Sequence, residues 1–292
     1  MLGGKGELIM DKEIYIKKID KFINKFILRS RDFVDYAAHL YGFTELMMTG
    51  EKKSKFTYDH EYFNFTKSTK TLISISELLK MGNNEDVFIL IRSMFENYLS
   101  SRYLNENENF IDQLITFPLN LFSAKYNVGE NGEIINRAGE KVGELINPSG
   151  FKTGKDKNYY YKFYGFLSPF AHSNFGIVEC YLDKHLCFTV EKENYPLLVR
   201  FFALFVFVKI FEHIVTVEGE DFIDPRTEKE CYKLVEDTIK FQDELIPVLI
   251  DEYKSNDEEV KFYNKRMREM LKEMRKSLRE ELGSVKKDFL NK

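Results

Sequence analysis

Arg92 and Glu96 stand four residues apart in the run Arg92-Ser93-Met94-Phe95-Glu96-Asn97. On a helix that spacing puts a guanidinium and a carboxylate on one face. Their neighbours Val87, Phe88, Ile89, Leu90, Ile91, Met94 and Phe95 are apolar on nearly every side. Charges in such company must be paired or solvated in a cavity, because isolated burial is prohibitive. Arg before Glu is also the weaker order for surface support of a helix. Two readings follow. One is a buried ion pair that fixes helix packing. The other is a pocket in which Arg92 holds an anion and Glu96 moves a proton, with Ser93 and Asn97 as binding groups.

A second polar island, Ser168-Pro169-Phe170-Ala171-His172-Ser173-Asn174, follows the aromatic run Tyr159 to Phe166. His172 is the one histidine set among small polar residues beside aromatics, where an imidazole can act as acid, base or anion ligand. Its plainer reading is a core histidine bonded to a backbone carbonyl. Ser168 before Pro169 reads as a helix restart, with Ser168 as cap and His172 in the first turns. Two polar islands in one apolar core tend to meet, so Arg92, Glu96 and His172 are expected together, as catalytic candidates. Ser93, Ser168 and Asn97 are the accompanying binding candidates. Ser93 or Ser168 beside His172 would make a nucleophile–base pair.

The Arg-Ser-Met-Phe-Glu helix, followed some 75 residues later by Ser-x-x-x-His, resembles an uncharacterised bacterial family of helical domains found near mobile elements and defence loci. The likeness runs over roughly residues 60–215. It implies Arg92, Glu96, Ser168 and His172 as characteristic positions, a setting in stress or anti-phage response, and no particular reaction. HEPN ribonucleases, also small helical bundles, pair an Arg with a His a few residues on. Arg31-Asp32 with His39 is too widely spaced, and Arg92 has Asn97 where the His would stand. An HEPN-like or other hydrolase using Arg92, Glu96 and His172 is therefore the alternative to a module that binds a ligand or partner. No Walker A loop, GxGxxG, HExxH or GxSxG occurs, which disfavours the familiar nucleotide, zinc-protease and hydrolase classes. No cofactor is implied.

The five histidines are scattered, and Cys180 with His185 alone is a poor zinc signal, so no metal site is expected. Cys180, Cys187 and Cys231 are odd in number and form no CxxC pair, which suits reduced thiols and a cytoplasmic setting. A net charge of −4 gives no general case for nucleic acid or an anionic membrane, though a local basic patch is compatible with it. The most apolar stretch, Phe201 to Val208, is closed off by Arg200 and Lys209, too short to span a bilayer. With 27 Phe, 17 Tyr and no Trp, the core is expected to be Phe and Tyr rings wedged between helices.

The elements that must position these residues read as mainly all-α. Helices are expected over about 11–48 (whole, or broken near Ser30), 57–81, 85–105, 107–124, 157–180, 196–217, 224–253 and 257–289. Gly82-Asn83-Asn84 should stop one helix and cap the next. Asp224-Pro225 is a clean start, and Pro247 marks a kink. Residues 1–9 have no signal-peptide core; Gly3 to Glu7 before Met10 look like a translated ribosome-binding stretch, so this segment is expected to be disordered or a non-native start. Residues 10–255 form the bundle domain, interrupted at 126–157 by a Gly-rich loop, lid or short hairpin. Leu186 to Val190 is a candidate strand. Residues 256–292 form a coiled-coil-like amphipathic helix whose seam (Val260, Tyr263, Met267, Met270, Met274, Leu278, Leu282, Val285) should pack on the body or mediate self-association.

Overall fold

The computed structural model describes residues 3–37, 56–154, 156–218, 224–254 and 261–290. The architecture is mainly α-helical: α1 (Gly3–Ala37), α2 (Phe56–Met81), α3 (Asn84–Glu106), the short α4 (Phe117–Phe122), α5 (Tyr159–Ala171), α6 (Pro196–Glu218), α7 (Pro225–Glu252) and α8 (Lys261–Leu290). The part of the first expected helix beyond Ala37, and Val260 of the seam, lie outside the described residues. Of residues 1–9, expected to be disordered or a non-native start, the side chains lie outside the described residues, while the backbone from Gly3 is part of α1.

α6 is the hub. Every side chain from Phe201 to Val208 is buried, and α1, α2, α3 and α7 all pack on it. A helix apolar on all sides needs neighbours all round. The packing is aromatic: Phe163 of α5 meets Phe202 of α6 at 4.9 Å and Phe95 of α3 at 5.0 Å, both edge to face. Such rings each contribute roughly 1.5–3 kcal/mol by burial alone. The cations that close the apolar run are anchored rather than exposed. Arg200 reaches Asp20 of α1 at 3.1 Å and the Leu79 carbonyl at the end of α2 at 3.0 Å. Lys209 meets Glu281 of α8 at 2.5 Å. Among the described residues no helix is long and apolar enough to cross a membrane.

Several boundaries differ from expectation for local reasons. α2 ends on Gly82, whose φ of +78° only glycine adopts freely. Asn83 makes no side-chain cap, and Asn84 instead holds the Asn194 carbonyl at 2.6 Å. Asp224 does cap α7, accepting from the Arg226 and Thr227 amides at 3.0 and 3.1 Å with Pro225 first in the helix. Pro247 lies within α7, which continues to Glu252. The 107–124 segment breaks into a 3-10 turn, a π turn over Asp112–Thr116, and α4.

The Gly-rich segment is a three-stranded antiparallel meander, β1 (Tyr126–Val128), β2 (Glu133–Asn136) and β3 (Lys141–Glu144), with Tyr126 opposite Asn136 and Glu133 opposite Glu144. Gly143 lets β3 approach α4: a Cβ there would sit 2.3 Å from the Phe117 ring. The chain then returns to α3 through Asp156, held by Arg102 at 3.0 Å and by Tyr161 at 2.9 Å. Leu186 to Val190 forms no named strand; only the isolated bridge between Leu182 and Phe188 remains. The middle of the α8 seam is buried within this chain, with Met267, Met270, Leu271, Met274 and Leu278 turned inward as the helix packs on α7 and α5, while Tyr263 is exposed.

Candidate functional site

α3 and α5 run side by side, and their facing polar residues form one network around Arg92. Its Nε donates to Glu96 Oε1 at 3.1 Å, and its Nη2 donates to the Tyr164 hydroxyl at 2.7 Å. Its Nη1 lies 2.9 Å from His172 Nε2. The Tyr164 hydroxyl donates in turn to Glu96 Oε1 at 3.0 Å, and its ring lies 4.7 Å from the guanidinium carbon. A guanidinium only donates, so Nε2 of His172 is the acceptor, and the neutral ring carries its proton on Nδ1. Burial pushes the Tyr164 hydroxyl above its ordinary value, the Glu96 charge adds to this and Arg92 opposes it. The phenol is thus a proton donor to Glu96 while it accepts from Arg92.

This network is neither a sealed core pair nor a freely solvated one. The side chains of Arg92 and Glu96 are 14% and 26% exposed, and His172 is on the surface. α3 is less uniformly enclosed than its sequence suggests, since Ile89 is also open to solvent. His172 does not occupy a first helical turn. Ser168 and Pro169 lie inside α5, where Ser168 Oγ donates to the Tyr164 carbonyl at 2.9 Å, and His172 is the residue at which α5 ends. A Ser-Pro pair has the same composition as a helix start, but here the aromatic face on both sides of it keeps α5 continuous on α3. Phe163 and Phe170 are both buried.

Beyond His172 the chain forms a 3-10 turn (Phe175–Tyr181) and then the 182–190 loop, and between them lies an open groove of about 990 Å³. His172, Ser173, Asn174 and Thr189 give it polar groups, and the carboxylate of Glu191 also lines it. Phe170, Phe175, Ile177, Val178, Phe188 and Val190 supply its apolar wall. Phe175, Phe188 and Val190 are largely exposed.

The remaining candidates lie elsewhere. Asn97 is buried at the α2–α3 contact, accepting from Lys67 at 3.1 Å and donating to Ser68 at 3.0 Å. Ser93 is half-buried on α3. Among the described residues neither Ser93 nor Ser168 bonds to His172, so no nucleophile–base pair is assembled. His39, needed for the HEPN-type spacing from Arg31, lies outside the described residues. Among those described, no group of three metal-ligating side chains converges.

Two polar features were not legible beforehand. Tyr164, which joins Arg92 to Glu96, was hidden in an aromatic run that reads as core. Nearer the other end of α3, His60 is buried with Ser100 at 3.1 Å and Asn64 at 3.2 Å. Burial lowers its pKa to about 4. Beside it the Glu61 carboxylate meets His213 of α6 at 3.0 Å and Asn105 of α3. The consecutive ionisable residues Asp59-His60-Glu61 at the start of α2 were the available signal.

Residues 62–138 match a family of unknown function, DUF5677. The DUF5677 match covers about a quarter of the chain, so the expected resemblance to an uncharacterised helical family is present over a shorter span than 60–215. It takes in Arg92, Ser93, Glu96 and Asn97 and stops before Ser168 and His172. Neither the curated proteins nor the solved structures contain a match.

Proposed function

We propose that this chain is a binding module whose groove beside His172 takes a small amphipathic ligand with an apolar body and an acceptor group such as a carboxylate or sulfonate. The observation that carries this reading is the contact between Arg92 and His172. By occupying Nε2, Arg92 fixes the tautomer, leaving an Nδ1–H donor on a ring that lines a groove with a largely apolar wall. Few, convergent polar groups at one end of an apolar cleft are the usual makeup of a small-molecule site. Arg92 itself is positioned by Glu96 and Tyr164, so these residues act through His172. Ser168, by its bond to the Tyr164 carbonyl, steadies the same helix turn. Asn97 and Ser93 take no part in this version of the site. The setting in a stress or anti-phage response rests on the family resemblance alone. Self-association through the last helix would have to use a face other than the Met267 to Leu278 seam, which this fold already covers.

The anionic, apolar fluorophore anilinonaphthalene sulfonate tests the groove. The folded protein should bind it at one saturable site, and His172→Ala and Val190→Asp should each weaken binding at least fivefold without changing the melting temperature. Binding that is absent, or unchanged in both variants, would overturn the reading. The second reading, a hydrolase or nuclease using Arg92, Glu96 and His172, is favoured only by the convergence of these three side chains in one hydrogen-bonded network. It predicts growth inhibition on overexpression that His172→Ala abolishes.

A further inference from the structure

Helix α8 carries a cationic stripe that the net charge of the chain conceals. Between Lys261 and Gly283 there are eight Lys and Arg against four Glu, in a chain whose total is −4. Lys265, Arg268, Lys272, Arg275, Lys276 and Arg279 fall within about 100° of helical arc, at 3.6 residues per turn, along about 21 Å of axis. The apolar seam of the helix faces α7 and α5. Glu273 and Glu280 point to the α5 side, where they pair with Lys162 at 2.6 Å and Lys157 at 3.0 Å. Glu273 is therefore drawn off the stripe, and Glu280 stays at its edge.

The stripe borders a groove of about 500 Å³ lined by Ile250, Lys272, Arg275, Lys276, Arg279 and Glu280. Asp243 of α7 takes both Arg275 at 2.7 Å and Arg279 at 2.8 Å, and one carboxylate cannot neutralise two guanidiniums. Lys276 stands 4.0 Å from Glu280, which Lys157 already engages. Lys265, Arg268 and Lys272 make no ion pair among the described residues. Glu269 is the remaining acid on the exposed surface of this part of the helix.

We infer that this face binds the phosphodiester backbone of single-stranded nucleic acid. A straight row of cations matches a linear polyanion. A strand laid along the roughly 21 Å of the stripe can bring three or four of its phosphates against these cations. Phe262, one turn before Lys265 and 77% exposed, offers a ring on which an unpaired base can stack. An acidic protein would satisfy the charges but leave that ring unused. This inference is independent of the groove at His172.

The test is fluorescence anisotropy of a labelled 20-nucleotide single-stranded DNA with the full-length protein at low salt. Binding should weaken with salt along a log–log slope of about −2 to −3, the value for three or four phosphate contacts on a single strand. Lys265→Glu, Arg268→Glu and Lys272→Glu combined should reduce affinity at least tenfold with melting unchanged. The equally charge-changing set Lys70→Glu, Lys125→Glu and Lys184→Glu, all exposed and away from α8, should leave affinity within twofold. Phe262→Ala should weaken the single strand more than a duplex. No binding, an equal loss in both charge-reversal sets, tighter binding of a duplex of the same length, or equal displacement by polyglutamate would each overturn the inference. The salt slope of the unmodified protein decides the matter should the α8 variant fail to fold.

Discussion

His60 shows how burial sets the behaviour of a single side chain. It is buried against Ser100 and Asn64, with Asp59 and Glu61 on either side of it in the chain, and Glu61 is committed to His213. Burial brings its pKa from 6.5 to about 4. Below pH 6.5 the unfolded chain takes up a proton that the folded one resists, so stability from this residue is complete above about pH 6.5. It is lost as pH falls toward 4, about 3 kcal/mol in all. The urea midpoint should therefore drop between pH 6.5 and 4.5, and His60→Gln, which keeps an amide for Ser100 and Asn64, should flatten that drop. At Arg92 the sequence carried more. Four-residue spacing inside an apolar helix was enough to demand a partner, and the partner His172 came from the other polar island. What spacing could not reveal was Tyr164, since a phenol that bridges two charges and one that fills a core occupy the same place in an aromatic run.

At the level of elements, long helices were readable because their apolar residues recur at one period and their ends carry Gly82 or Asp224-Pro225. The 126–157 segment was legible only as a Gly-rich loop, lid or short hairpin, because a meander of three- and four-residue strands has too few alternations to register as a sheet. Its fit on the bundle depends instead on one absent side chain. Gly143→Ala would drive a methyl to within 2.3 and 2.6 Å of Phe117 ring atoms, and overpacking of this kind typically costs about 1–3 kcal/mol. The substitution should speed proteolytic cleavage within 126–157, and Phe117→Leu in the same background should reverse much of that. Similarly, Ser168-Pro169 misled as a helix start because composition alone does not show that Phe163 and Phe170 hold both sides of the pair to α3.

For the whole molecule, α8 proves integral. Besides its buried seam it supplies Glu281, the carboxylate against Lys209, whose side chain is only 2% exposed. Burial alone would lower the ammonium pKa, but Glu281, aided by Tyr98 and Tyr160, outweighs it and holds the charge. Glu281→Ala leaves that cation without its partner and should cost about 3 kcal/mol or more in urea unfolding, whereas Lys209→Met with Glu281→Leu should recover most of the loss. If the single change were silent, the pair would be ornamental.

The same ion pair ties the hub helix to a residue made 72 positions later. At ~5–20 residues per second a ribosome needs roughly 4–14 s to travel from one to the other. Throughout that interval α6 has emerged, or is emerging, with an ammonium in its apolar flank and no carboxylate to meet it. The nascent bundle is thus denied its final packing until α8 has been made, and a chain stalled before Glu281 presents the protein-quality machinery with an open, charged seam rather than a closed bundle.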